Sequence, residues 1–186
     1  MTNGEVSNES RIAVYVGLGS NVGDRLANLR NAIERIRKLN LEITRVSAVY
    51  ETEPVSFAEQ PWFLNQVLAA KVSKAKSASE AQHAIQAERF LFELLEIESA
   101  MGRVRTFANG PRLIDLDLLL FGGVITKDSE AKIVIPHPRM HERRFVLEPL
   151  CEIAPNLIHP VLKKTCRDLL ARIDDRSRVR LFEKRS

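Results

Sequence analysis

Nothing in the chain approaches the roughly 20 consecutive apolar residues that a membrane-spanning helix needs, so an integral helical membrane protein is excluded. The first ten residues are polar and lack the apolar stretch of a secretory signal; the protein is expected to be cytoplasmic. Cysteine is scarce. Cys151 and Cys166 stand fifteen positions apart with no Cys or His at metal-site spacing, which speaks against a disulfide framework or a zinc site and for two reduced structural thiols. Internal repeats and low-complexity segments are absent as well. What is present, 186 residues with 45% apolar content, suits one core. The expected organisation is a disordered leader over residues 1–10, a domain over 11–174 and a basic tail over 175–186. The net charge of +4 suits phosphate-bearing partners without choosing among a nucleotide, RNA and an anionic membrane.

Residues 12–18 read as a buried strand, followed by a turn with Gly17, Gly19 and Gly23 around Ser20 and Asn21. Leu26, Leu29, Ile33 and Ile36 form one helical stripe, with Asp24 at the favourable N-terminal end. Residues 41–52, rich in Ile, Val, Thr and Tyr, predict a strand, and residues 62–72 another, with Pro54 and Pro61 marking the ends of pairing between them. Ser77 with Glu80 has the form of a capping box opening a helix of about 24 residues that Gly102 terminates. Glu98 occupies an otherwise apolar stripe in that helix. Residues 113–121 predict the last core strand. The order β-α-β-β-α-β is a ferredoxin-like α+β fold, an antiparallel sheet with helices packed on it. A hairpin joining residues 124–125 with 132–135 and helices near 145–153 and 162–173 complete the expected architecture.

Asp115-Leu116-Asp117 carries the most chemical information. Residues two apart on a strand share a face, so both carboxylates project together while Leu116 and Leu118 point the other way. Their Cα atoms are then ~6.7 Å apart, and at an effective dielectric of about 20 the two charges repel by ~2.5 kcal/mol. Apolar neighbours raise the desolvation cost further. A cation must compensate: either arginines at a strand end, or Mg²⁺, one or two ions, for which hard oxygen ligands are suited. Gly102-Arg103-Val104-Arg105 and Gly110-Pro111-Arg112 bracket a short loop leading straight into this strand. Guanidinium groups grip phosphate oxygens bidentately and stay charged at any working pH. Arginines beside metal-binding carboxylates describe a polyphosphate-transfer site, where positioning and charge neutralisation do most of the catalysis.

Further segments recur in a fixed order: Gly17-Leu18-Gly19-Ser20-Asn21, Tyr50-Glu51-Thr52-Glu53-Pro54 and Gln60-Pro61-Trp62-Phe63-Leu64-Asn65, then the two arginine segments and the acidic strand, then Pro136-His137-Pro138-Arg139-Met140 and Arg143-Arg144-Phe145. With these, the chain resembles the 6-hydroxymethyl-7,8-dihydropterin pyrophosphokinases of folate biosynthesis over residues 12–173. The resemblance implies transfer of diphosphate from ATP to the pterin hydroxymethyl group, releasing AMP. It implies that Asp115 and Asp117 hold two Mg²⁺ ions and act with Arg103 and Arg112 in catalysis. Glu98, Arg105, Arg112, Leu118, Lys132, His137 and Arg143 would contact ATP. Asn21, Thr52, Val55, Phe63, Asn65 and Phe145 would line the pterin pocket, with the two phenylalanines sandwiching the ring. The loops over residues 54–61 and 103–110 would close over ATP.

The chain also departs from the family pattern. The loop after Arg105 is one residue shorter, and Asn109 stands where an aromatic can cover the pterin, so that the cover is either Phe107 or absent. Leu95 replaces a polar nucleotide contact, Pro138 replaces an aromatic, and residues 73–90 are longer, as extra helix or as an oligomer contact. A monomer is expected, without nucleic-acid or membrane partners. Two rivals remain open on the residues alone. A ferredoxin-like RNA-binding module would expose aromatics on central strands, whereas the first strand carries only Tyr15 and the fourth carries aspartates. A nucleotidyl transferase or nuclease would use the same paired carboxylates.

Overall fold

The computed structural model describes residues 11–55, 59–73, 79–103, 110–126 and 133–182. The core follows the predicted ferredoxin-like order. Strand β1 (Arg11–Ser20) leads to α1 (Arg25–Ile36), β4 (Phe63–Ser73) to α2 (Glu80–Ala100), and α2 to β5 (Asp115–Phe121); between α1 and β4 lie β2 (Leu41–Val46) and β3 (Tyr50–Thr52). A 3₁₀ turn (Met140–Glu142), α3 (Arg144–Ile153), α4 (Cys166–Ala171) and β6 (Val179–Leu181) follow. The sheet runs β5-β1-β4-β3-β6, with β2 also paired to β4, and every pairing is antiparallel.

Side-chain alternation divides the sheet into two faces. Val14, Val16, Leu18, Leu64, Leu68, Leu116 and Leu118 turn toward Leu29 and Ile36 of α1 and Phe90, Leu94 and Ile97 of α2. Val67, Ala69 and Leu119 turn the other way, against Val146, Leu147 and Leu150 of α3 and Leu169 of α4. Burying each large aliphatic side chain stabilises the fold by about 1.5–3 kcal/mol. Among the described residues no helix is long and apolar enough to cross a membrane.

Several local details differ from the sequence expectation. Residues 41–52, predicted as one strand, divide at Ser47, whose backbone pairs with Val67 and whose hydroxyl accepts from the Val67 amide at 3.0 Å. The α2 cap is Ser79 with Gln82, not Ser77 with Glu80; Ser77 lies outside the described residues. The described part of the 73–90 extension is helical from Glu80. Of the predicted hairpin, the described residues show Thr126 bonded to Ile133 and Ile135, with no strand among them; residues 127–132 lie outside the described residues. Val179–Leu181, predicted as part of a basic tail, is a sheet strand paired with β3. Gly102 ends α2 as expected, with φ +85, a conformation that a glycine adopts without penalty.

Candidate active site

Antiparallel register brings the marked residues into one row. Gly19 on β1 stands opposite Asn65 on β4 and, on its other side, opposite Asp115 on β5. Gly17 stands likewise between Val67 and Asp117. Since the odd positions of β1 and β4, and those of β5 ahead of its bulge at Leu119, face away from α1 and α2, these residues form the floor of an open cleft of about 260 Å³. Its walls include Thr52, Val55, Phe63, Arg103, Arg112, His137, Arg143 and Phe145. That volume is close to the lower bound of small-molecule pockets, about 300 Å³.

One end of the cleft is charged. Asp115 is held by two arginines, Arg103 at 2.8 Å and Arg112 at 2.7 Å, and Arg143 lies 3.7 Å from Asp117. Burial and the neighbouring Asp115 push the Asp117 carboxyl up to about 7, with Arg143 only partly opposing. Burial works against the charge on Arg103, but Asp115 and Glu98 outweigh it and hold its pKa above the usual value. His137 is lowered to about 4 by burial and by Arg143, so it is neutral at physiological pH. Its Nδ1 accepts from the Arg139 amide at 3.2 Å, which leaves Nε2 to carry the proton and donate.

The other end suits a flat polar ring. Asn65 Nδ2 donates to Thr52 Oγ1 at 2.6 Å, and both residues are buried. The pair therefore keeps an acceptor, Asn65 Oδ1, and a donor, the Thr52 hydroxyl, for the edge of a heterocycle. Phe63 and Phe145 line the same region, and each carries a guanidinium above its ring, Arg112 at 5.6 Å and Arg143 at 5.5 Å. These stacks join the aromatic end to the charged end.

The sequence candidates Asn21, Glu98 and Leu118 lie behind the cleft rather than on its wall. Asn21 is 2% exposed and ties two loops together: its Oδ1 accepts from the Arg112 amide at 2.8 Å, and its Nδ2 donates to Gln60 and to the Pro61 carbonyl. Glu98 is also 2% exposed; its Oε1 accepts from the Leu116 amide at 2.6 Å and from Arg103. Burial raises its pKa, with those two donors opposing. Leu118 belongs to the core against α1 and α2. Arg105 and Lys132, and Phe107 and Asn109, lie outside the described residues, as do most of the 103–110 loop and the middle of the 54–61 loop.

Two features were not signalled by local pattern. Arg139 and Glu53 also line the cleft. The Glu53 amide donates to the Arg178 carbonyl at 3.0 Å, while Arg178 returns bonds to the Glu53 carboxylate, and Arg180 pairs with Glu51 at 2.7 Å. Both arginines stack on Trp62, at 5.0 and 5.1 Å. The C-terminal strand thus holds the strand and loop that carry Thr52 and Val55.

The α3 side of the sheet bears on the RNA-binding alternative. Tyr15 packs against the apolar cluster that joins this face of the sheet to α3 and α4, and is only partly exposed. An aromatic platform for single-stranded RNA requires an open sheet face there.

The family model described as 7,8-dihydro-6-hydroxymethylpterin-pyrophosphokinase matches residues 15–155. The chain belongs to that family. It is 39% identical over 155 residues to the 2-amino-4-hydroxy-6-hydroxymethyldihydropteridine pyrophosphokinase of Aquifex aeolicus, covering 83% of this chain and 88% of that protein. The protein of the same name from Bacillus subtilis is 40% identical, covering 75% and 76%. The folic acid synthesis protein of Dictyostelium discoideum is 41% identical over 88% of this chain, of which this chain spans only 23%; for the corresponding protein of Pneumocystis carinii the share is 20%. Among solved structures, wild-type Plasmodium falciparum HPPK-DHPS superimposes with a TM-score of 0.63 at 14% identity, over 89% of this chain and 45% of that one. At that identity the likeness supports the family's fold alone. In family terms, the acidic pair, the arginines and the Asn65–Thr52 pair all fall within the matched span.

Proposed function

We propose that this chain transfers diphosphate from ATP to 6-hydroxymethyl-7,8-dihydropterin, giving AMP and the pterin diphosphate, as a step of tetrahydrofolate synthesis. The observation that carries this reading is the shared row of Asn65, Gly19 and Asp115. It puts a heterocycle-binding edge and a pair of acidic side chains on one floor. The pterin ring lies at the Asn65–Thr52 end between Phe63 and Phe145, with its hydroxymethyl group directed toward Asp115. The triphosphate occupies the charged end, along Arg103, Arg112, His137 and Arg143.

Asp115 and Asp117 fit Mg²⁺: they are hard oxygen donors on one face, and Asp117 resists ionisation until a cation compensates its neighbour. Among the described residues no third His, Cys, Asp or Glu joins them, so Asp115 and Asp117 would hold the ion and its further ligands would come from phosphate and water. When bound, the metal supplies charge neutralisation for the phosphates. The arginines now resting on Asp115 exchange carboxylate for phosphate oxygens as the nucleotide arrives, while Glu98 retains its hold on Arg103. In the transfer, the substrate hydroxyl oxygen bonds to the β-phosphorus, the bond from that phosphorus to the oxygen of the AMP portion breaks and its electron pair leaves with AMP, and the hydroxyl proton passes to water in the open cleft. Neutral His137 donates from Nε2 to a phosphate oxygen. Incubation with ATP, Mg²⁺ and the reduced hydroxymethylpterin tests the reading directly. AMP must appear only when the pterin is present; its release without pterin, or transfer of a nucleotidyl group instead, refutes it.

A further inference from the structure

The Gly17-Leu18-Gly19 motif contributes no functional side chain to this scheme, yet Gly19 lies at its centre, between the residue that meets the ring and the residue that meets the metal. A β-carbon built at Gly19 falls 2.8 Å from Asn65 Oδ1, closer than such atoms approach one another. The remaining near atoms are Asn65 Cγ at 3.9 Å and Phe63 Cδ1 at 3.8 Å, both ordinary contacts. All three nearest atoms thus belong to the ring-binding end. The backbone at Gly19 is regular strand and does not take the positive φ seen at Gly23, Gly102 and Gly122. The three atoms nearest such a β-carbon are all side-chain atoms, none of them backbone. Its collision is with the end of one carboxamide.

We propose that Gly19 is a specificity-determining position: the missing β-carbon lets the Asn65 carboxamide lie across β1, and any side chain there displaces Asn65 Oδ1 and weakens pterin binding while sparing the nucleotide. The proposal rests on the pyrophosphokinase reading of the cleft. Among the described residues the Asn65 carboxamide makes one hydrogen bond, its Nδ2 on Thr52 Oγ1 at 2.6 Å. Moving the amide away from Gly19 must therefore break that bond or swing Oδ1 off the ring edge. Either way the acceptor and the donor lose their common alignment, and a site built to bond a polar edge discriminates strongly against misplaced partners. Because the side chain yields rather than the main chain, Gly19→Ala folds. Gly19 is a positioning residue, acting on substrate through Asn65.

The experiment titrates wild type, Gly19→Ala, Asn65→Ala and the double variant with the reduced hydroxymethylpterin, each saturated with Mg²⁺ and a non-hydrolysable ATP analogue. The analogue is titrated separately, and thermal midpoints are recorded. Gly19→Ala is expected to bind the pterin at least tenfold more weakly, to bind the analogue within twofold of wild type, and to melt within a few degrees of it. The double variant is expected to bind the pterin no more weakly than Asn65→Ala. Unchanged pterin affinity in folded Gly19→Ala overturns the proposal, as does an equal loss of nucleotide affinity or a loss that adds to that of Asn65→Ala. If Gly19→Ala fails to fold, rescue by the added Asn65→Ala upholds the contact and failure to rescue overturns it. Wild type that binds no pterin refutes the reading of the cleft itself, and this proposal with it.

Discussion

Glu98→Ala removes the acceptor that serves two groups at once. Glu98 is 2% exposed, and its Oε1 receives the Leu116 amide at 2.6 Å as well as Arg103. Stranding a buried amide costs about 1–3 kcal/mol. Arg103 keeps Asp115 at 2.8 Å, so its loss stays below the about 3–5 kcal/mol of a fully broken buried pair. Removing a carboxylate that burial disfavours returns part of this. The net expectation is about 2–4 kcal/mol, a large share of a total stability of about 5–15 kcal/mol. Glu98→Gln keeps a carbonyl oxygen for Leu116 and gives up only the charge opposite Arg103, so about 1 kcal/mol is expected. Urea denaturation without nucleotide, followed by circular dichroism, measures both. If Gln costs as much as Ala, the Leu116 bond is not what Glu98 supplies; if Ala costs less than about 0.5 kcal/mol, the residue is not committed to the fold and the placement behind the cleft is wrong.

Asp115→Asn is expected to lower turnover by at least ~100-fold with the circular dichroism spectrum unchanged, since it removes charge at the proposed reacting centre rather than packing. Chelation by EDTA is expected to stop AMP formation and excess Mg²⁺ to restore it; turnover that persists after exhaustive chelation sinks the metal assignment. Asp117 is protonated more readily folded than unfolded, so its contribution to stability is present at low pH and is lost as pH rises toward and past about 7. In metal-free buffer, Asp117→Asn should gain stability relative to wild type between pH 4 and pH 8, and a flat difference contradicts the placement. His137 has the opposite sign: lowered to about 4, it contributes stability above its ordinary pKa that is lost as pH falls toward 4. The wild type's margin over His137→Gln should shrink over that interval in thermal melts.

The acidic strand was legible because a period of two needs no partner to be read, and the α1 stripe likewise. Features set by distant chain were not. Glu98 is conspicuous in its helix, but its partner Leu116 lies 18 residues on, across the loop, and a charge in an apolar stripe reads equally well as a ligand contact. Asn21 has partners 39 and 91 residues away, which no window contains. The α2 cap failed for another reason: Ser77 with Glu80 and Ser79 with Gln82 offer the same local chemistry, so the motif alone does not choose between them, and the helix is capped by Ser79. Residues 178–182 read as tail because Arg178 and Arg180 are ordinary surface charges until Glu51, Glu53 and Trp62 are placed beside them.

That last strand has a consequence for biosynthesis. β3 receives its outer neighbour from Val179–Leu181, and α3 has its first amide capped by Asp175 at 2.8 Å. A nascent chain not yet extended through this stretch already holds the residues proposed to grip phosphate, while the strand carrying Thr52 still has a bare sheet border. The proposed site is therefore not fully framed until residues 175–181 are made, and a premature stop before residue 175 removes both the strand and the helix cap while every residue proposed to touch ATP or pterin is still present.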